Sequence, residues 1–348
     1  MNVFKDFSYK ENAMKIYNST GMLNVTKLDI LYNKKQYLNN IDILNMNHIH
    51  ISMAFDKDDS DLSLVSIASI LNTSGCDTYI HFHILGLNFD FEEIKKISDL
   101  KKINNKVEFI FYNAKQVEYD FPRAKNEKRG FGNYAKLLCP QIVNNTNKLI
   151  ILDSGDILAQ KDLSEIYFYD IKDNYFGWIL EMNAGYYLEY KDKFMTNNFH
   201  PNAGVFIVNI RLFRRDKLYK KAIFVGKSYQ FFECPIKEIL ITITNYKFQY
   251  IPLNYNLNLY YEHEDDLLNR KNISLIKNWL RIQRFSPHKY TFDEIVDAMT
   301  DPVLIHFYKW RKGKCNKYIF QWLKYVNLTG KYKILKKRYP KPFECIKF

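Results

Sequence analysis

Between His48 and Asp156 the chain alternates strand-like and helix-like runs, and this alternation restricts its fold more than any other feature. His48–Phe55 (HIHISMAF) is a short β-type run that stops at Asp56. Asp61–Asn72 follows, with apolar residues at 62, 65, 68 and 71 and at 64, 67 and 70, a helical stripe. Thr78–Leu85, Val107–Tyr112 and Lys148–Leu152 read as strands. Phe91–Lys102 and Gly132–Val143 read as helices, the second in spite of Pro140. The pattern predicts βαβ units, hence an α/β fold with a mainly parallel central sheet and helices on both faces. Ligands of such sheets bind beyond the carboxyl ends of the strands. Here the first strand ends at Asp56 and the fourth at Asp153-Ser154-Gly155-Asp156. Further on, Asn202–Ile210 and Asp301–Phe307 read as strands, Glu238–Thr244 and Phe248–Pro252 as apolar segments. Residues 1–46, polar and rich in Asn, Lys and Tyr, read as an extension of short helices and loops.

Two aspartates closing a hydrophobic strand cannot both lie unpaired in a core. They suit a hard divalent cation, which takes oxygen ligands and keeps positions for phosphates. The alternative is that one caps the next helix, where Asp162-Leu163-Ser164-Glu165 resembles a capping start, and the other is a solvated turn residue. His306, in the last strand, is either a hydrogen-bonded core histidine or a third ligand. Histidine with two carboxylates suits Mn2+.

Charge at first points to nucleic acid, because 51 Lys and Arg face 38 Asp and Glu for a formal +13. Its distribution argues otherwise. Residues 307–348 hold 13 bases and one acid, Glu344, which leaves 38 bases against 37 acids in residues 1–306. The basic tail interleaves Tyr308, Trp310, Phe320, Trp322 and Tyr325, a pattern that fits stacking on a polyanion or packing onto the body. Five cysteines without CxxC spacing fit neither a disulfide framework nor a zinc knuckle and read as reduced thiols. No apolar stretch approaches the roughly 18–20 residues of a membrane span. The N-terminus has no continuous apolar run of the signal-peptide kind, so a cytoplasmic location is expected. The 47% hydrophobic content supports a substantial core.

The order of HIHISMAFDKD, NYAKLL, LIILDSGDIL with QKDLSEIY, PNAGVFIVNI, YIPLNYN and DPVLIHF resembles glycosyltransferase family eight over roughly residues 47–312. That resemblance implies a GT-A fold and a retaining hexosyltransferase that uses a UDP-sugar with Mn2+. It divides the chain into an extension (1–46), a GT-A domain (47–312) and a basic, aromatic, helical tail (313–348). It implies that Ala54 and Asp56, with Asp58 close by, meet uracil and ribose. Lys136, 17 residues before Asp153, would approach the donor sugar and the aspartates; the alternative is a solvated helix residue. Asp153 and Asp156 would bind metal with His306. Asn202 and Gly204 match a segment lining the donor-sugar pocket; otherwise they are a turn before a strand. Asp56 is otherwise a helix cap.

Three departures from the family pattern stand out. The metal motif is D-S-G-D, one residue longer than D-x-D. The family's D-Q-D/E falls on Ile236-Lys237-Glu238, so Glu238 is the single acid the alignment offers at the reacting centre. The phosphate-clamping segment is reduced to HFYKWRKGK, in which Lys309, Lys312 and Lys314 compete and spacing favours Lys312. These departures leave open a catalytically weakened nucleotide-sugar binding protein as a second reading. A polyanion-binding module built on the tail is a third. The expected partners are a nucleotide sugar, a glycan, lipid-linked or protein acceptor and, through the tail, an anionic membrane face, with no nucleic acid.

Overall fold

The computed structural model describes residues 13–18, 21–27, 43–87, 89–125, 130–180, 201–228, 235–258, 290–307 and 317–344. Among these residues the strands are β1 Ala13–Asn18, β2 Gly21–Lys27, β3 Asn47–Ala54, β4 Thr78–Gly86, β5 Val107–Asn113, β6 Lys148–Leu152, β7 Ile157–Ala159, β8 Phe176–Leu180, β9 Pro201–Asn209, β10 Phe248–Tyr250, β11 Leu257–Asn258 and β12 Leu304–His306. Helices of eight residues or more are α1 Ser60–Thr73, α2 Phe91–Ser98, α3 Gly130–Ile142, α4 Leu218–Ser228, α5 Pro235–Thr244, α6 Phe292–Thr300 and α7 Lys317–Leu328.

The central sheet runs β10-β8-β9-β6-β3-β4-β5, and β5 is extended by the hairpin β1–β2. Its pairings are parallel except at β9, which lies antiparallel to both β6 and β8. The expected α/β architecture is present, with the GT-A order of elements. Residues 13–27 differ from the expectation of helices and loops. They form two short strands two residues apart, which cover what would otherwise be an open sheet edge at β5. Glu238–Thr244 belongs to a helix, α5.

Alternation along the strands buries both faces of the sheet. Ile49, Ile51 and Met53 of β3 join a core with Val65, Ile67 and Ala68 of α1. Leu149 and Ile151 of β6 join a second core on the other face, with Leu137 and Leu138 of α3 and Ile239 and Leu240 of α5. Pro140 sits in the last turn of α3, so the hydrogen bond that its missing N–H forgoes is one at the helix end. The carbonyls released at that helix end are collected by Arg214, which donates to Pro140, Gln141 and Val143.

Helix α1 is apolar on more than one side because α7 of the basic tail packs along it. Asn72 donates to the Tyr325 hydroxyl (3.3 Å), and Lys331 pairs with Asp61 (2.8 Å). Tyr318, Trp322 and Tyr325 are buried, whereas Phe320 is exposed. Tyr308 and Trp310 lie outside the described residues. Among the described residues no helix is long and apolar enough to cross a membrane.

The polar face of β3 carries a cluster of another kind. His48 and His50 on β3 face His81 and His83 on β4, with rings stacked 4.4–5.4 Å apart. His81 meets Glu108, His83 meets the Tyr112 hydroxyl, and Tyr167 packs 6.1 Å from His50. Burial, then the neighbouring His81 and His48, push His50 down to about 3. Burial holds His83 well below its ordinary value too. The folded protein therefore refuses protons that the unfolded chain accepts below pH ~6.5. Stability is full above that value and falls as the pH drops from 6.5 toward 3. His50 alone accounts for about 2 kcal/mol between pH 7 and pH 5. Urea unfolding at those two pH values is the check. A flat profile, or one that His50→Phe leaves equally steep, contradicts the assignment.

Candidate functional site

The chain direction reverses at the junction of β3 and β6. From β3 the sheet proceeds outward through β4 and β5; the chain then returns to place β6 on the other side of β3. The carboxyl ends of these adjacent parallel strands form the crevice in which ligands of doubly wound sheets bind. Asp56 follows one strand and Asp153 the other, and the Ser154 hydroxyl donates to the Ala54 carbonyl (3.2 Å) to tie the two ends together.

Two further strands enter the crevice by topology. Because β9 is antiparallel to β6, its N-terminal segment Asn202-Ala203-Gly204 lies against the end of β6, and Asp153 N–H donates to the Gly204 carbonyl (2.6 Å). Because β12 is antiparallel to β7, His306 pairs with Ile157, and Phe307 N–H donates to the Asp156 carbonyl (2.8 Å). One ligand atom from each of Asp153, Asp156 and His306 lies within 4.8 Å of the others. His306 Nε2 is 3.5 Å from Asp153 Oδ2 and 3.8 Å from Asp156 Oδ1.

The extra residue of D-S-G-D is absorbed at Gly155. Its φ of +86° lies in the left-handed region that favours glycine, and a Cβ there would sit 2.7 Å from Leu62 Cβ. The longer motif still brings both carboxylates to one place. Gly204 makes room on the other side. A Cβ on it would fall 2.7 Å from Asp153 Oδ2 and 2.8 Å from His306 Nδ1. Two carboxylates and an imidazole, with space kept beside them, fit a divalent cation in both donor type and number.

Lys136 is not a solvated helix residue. It is buried in α3, and its ammonium donates to Asp153 Oδ1 and, at 2.9 Å, to the Ala203 carbonyl. Asp153 thus turns one oxygen to Lys136 and the other to His306. Gly132, one turn earlier, lets α3 approach β3, since a Cβ there would meet the Ala54 carbonyl at 2.9 Å.

Of the remaining expected site residues, Asn202 and Gly204 begin β9 beside this cluster and Ala54 ends β3, buried. Asp56 has a structural duty, because its Oδ1 accepts from Asp58 N (3.0 Å) and Asp59 N (3.2 Å) at the approach to α1. Asp58 is exposed, and its carbonyl accepts from Arg338 of the tail. Glu238 is buried in α5, which packs on β9, and it is not one of the three residues that converge. Ile236, two residues before it, belongs to the apolar core. Lys309, Lys312 and Lys314 lie outside the described residues. Sequence reasoning did not assign Trp178 and Asn256, which hydrogen-bond Asn202. Only the quoted segment YIPLNYN hinted at Asn256, because long-range side-chain partners leave no periodic signal.

Comparison with known proteins agrees with this fold. No curated protein matches the sequence significantly. Among solved structures, the galactosyltransferase LgtC in complex with donor and acceptor sugar analogs is similar at a TM-score of 0.59 and 18% identity, covering 81% of this chain and 95% of LgtC. The bifunctional glycosyltransferase WbbM is similar at a TM-score of 0.57 and 15% identity over 82% of this chain, which spans 48% of the WbbM chain. The glycosyltransferase GlyE of Streptococcus pneumoniae TIGR4 matches at 0.51 and 14% identity, over 80% of this chain and 60% of its own. The model of glycosyl transferase family 8 matches residues 50–312. With more than half of its length matched, the chain belongs to glycosyl transferase family 8.

Proposed function

We propose that this protein is a retaining hexosyltransferase that moves glucose or galactose from a UDP-sugar to a glycan, lipid-linked or protein acceptor, with Mn2+ as its cation. The observation that carries the reading is the convergence of Asp153, Asp156 and His306 at the β3–β6 crevice, with Lys136 bonded to Asp153. A divalent cation held by those three residues supplies positive charge opposite a departing diphosphate. Lys136 holds Asp153 in place and keeps a second positive charge beside the crevice. Asn202 contacts the donor sugar, Ala54, Asp56 and Asp58 the nucleoside, and Lys312 the diphosphate, the last on sequence spacing alone. The sugar keeps its configuration either by front-side attack of the acceptor on the face from which UDP departs, which needs no protein nucleophile, or by double displacement, for which Glu238 is the acid the family resemblance offers. We favour the first, because it requires no carboxylate of the protein beneath the anomeric carbon.

A donor screen for UDP release, with Mn2+ and with EDTA, tests this. Turnover of UDP-glucose or UDP-galactose that EDTA stops is the expected result, together with a melting temperature raised by UDP plus Mn2+. If UDP and Mn2+ neither bind nor stabilise, the reading fails. The buried Ile236 favours one other reading, a nucleotide-sugar binding protein with weakened catalysis. UDP binding by calorimetry with no turnover across the donor panel would select it. The lysines of the tail, with exposed Phe320, Leu328 and Ile334, also support a peripheral contact with an anionic membrane from the cytoplasmic side.

A further inference from the structure

The amide of Asn202 is held in one orientation by two donors. Its Oδ1 accepts from the Gly204 N–H at 2.8 Å and from Asn256 Nδ2 at 3.0 Å. The first of these is a backbone N–H, which identifies the oxygen end of the amide without ambiguity, since no flipped amide could accept it. Both lone pairs of Oδ1 are then used. The main-chain carbonyl of the same residue accepts from the Trp178 indole at 2.6 Å, so its backbone is fixed as well. Whatever Asn202 offers a ligand, it offers as a donor through its NH2.

Asn256 imposes this. It closes the single turn Leu253–Asn256, is 1% exposed, and has no hydrogen-bond partner for its own Oδ1 among the described residues. An orphaned buried acceptor costs stability. Turning the Asn256 amide over cannot relieve it, because two carbonyl oxygens would then face each other. A leucine of similar volume would avoid the cost altogether. What the polar side chain supplies in return is the second hydrogen bond on Asn202.

We infer that Asn256 is a positioning residue for donor recognition. It saturates Asn202 Oδ1, so that Asn202 reads a hydroxyl oxygen of the transferred sugar and discriminates donor sugars by where that oxygen lies. The identity of the ligand rests on the glycosyltransferase reading; the orientation of the amide does not.

Asn256→Leu and Asn256→Asp separate this role from packing. Leucine removes the donor, whereas the near-isosteric aspartate sets a second acceptor against Asn202 Oδ1 and drives its amide over. The expected result is a kcat/KM for the UDP-sugar lower by about tenfold in Asn256→Leu, the worth of one hydrogen bond, and lower still in Asn256→Asp. Binding of UDP alone with Mn2+, measured by calorimetry, stays within about twofold, because UDP carries no sugar for Asn202 to read. Equal weakening of UDP and UDP-sugar, or kcat/KM unchanged in both variants, overturns the inference. If the wild-type protein neither binds UDP nor turns over, the glycosyltransferase reading has failed instead. A melting-temperature cycle of Asn256→Leu with Asn202→Leu still decides the structural half. The double variant should melt no lower than the worse single one, and additive losses overturn the pairing.

Discussion

Asp153→Asn is expected to lower cation-dependent turnover by at least about 100-fold, and also to lower the melting temperature of the cation-free protein. The two effects come from the two oxygens. Oδ2 lies beside His306 and, with Asp156, makes the negative concavity a cation needs. A neutral amide there withdraws one of two ligand charges and turns part of the ligand set into a donor, and about 100-fold corresponds to about 2.7 kcal/mol. Oδ1 takes the Lys136 ammonium, which is buried and would then face a neutral amide oxygen in place of a carboxylate, beside the Ala203 carbonyl. Removing one partner of a buried charged hydrogen bond costs about 1–3 kcal/mol. Lys136→Met combined with Asp153→Asn should therefore recover much of the lost melting temperature and none of the activity, because removing both partners leaves no stranded charge. Asp156→Asn, which does not touch Lys136, should lose the cation response with a smaller fall in cation-free stability. UDP release with and without Mn2+, and thermal melting of the EDTA-treated variants, distinguish these cases. Asp153→Asn retaining cation-dependent turnover within about tenfold of wild type would remove Asp153 from the site.

How far this site can be read from the chain depends on how local its causes are. The alternation from His48 to Leu152 dictates the parallel core, and acids at the ends of two of its strands mark the crevice, because a period-2 or period-3.6 pattern is a property of neighbouring residues. Lys136 is legible through the family resemblance, which singles out the basic residue 17 positions before Asp153, and its ammonium does reach the carboxylate. Pairings between distant segments are another matter. That β9 enters antiparallel to β6, bringing Asn202 and Gly204 to Asp153, is decided by sheet order and not by anything within PNAGVFIVNI. The pair β1–β2 escaped notice because its apolar residues show no clean alternation, and its pairing with β5 is a long-range fact. α5 carries the run ILITIT, rich in β-branched residues that favour strands, yet its burial within the second core keeps it helical. The longer D-S-G-D motif casts doubt on Asp156 when only spacing is counted. Gly155 resolves it, because a left-handed residue shortens the path between the two carboxylates.

Gly204→Ala should then act on the site almost as strongly as removing a ligand, although it adds a single methyl group. The added Cβ has nowhere to go. It would lie 2.7 Å from Asp153 Oδ2 and 2.8 Å from His306 Nδ1, closer than carbon approaches such atoms. The backbone cannot retreat either. The Gly204 N–H is bonded to Asn202 Oδ1, and its carbonyl accepts from the Asp153 N–H in the ladder between β6 and β9. The displacement must fall on His306 and Asp153, and overpacking of this kind costs about 1–3 kcal/mol. Cation-dependent turnover is expected to fall by about 10- to 100-fold, since a ligand displaced by an ångström loses much of its value. Gly177→Ala is the control. In β8 its Cβ would press on Ile171 (2.6 Å) and Ile251 (3.1 Å) in an apolar setting, so it should melt lower while keeping the full upward shift on adding UDP and Mn2+. Gly204→Ala should melt lower and lose that shift. If both variants keep it, the space beside His306 and Asp153 serves packing alone, and the cation lies elsewhere in the crevice.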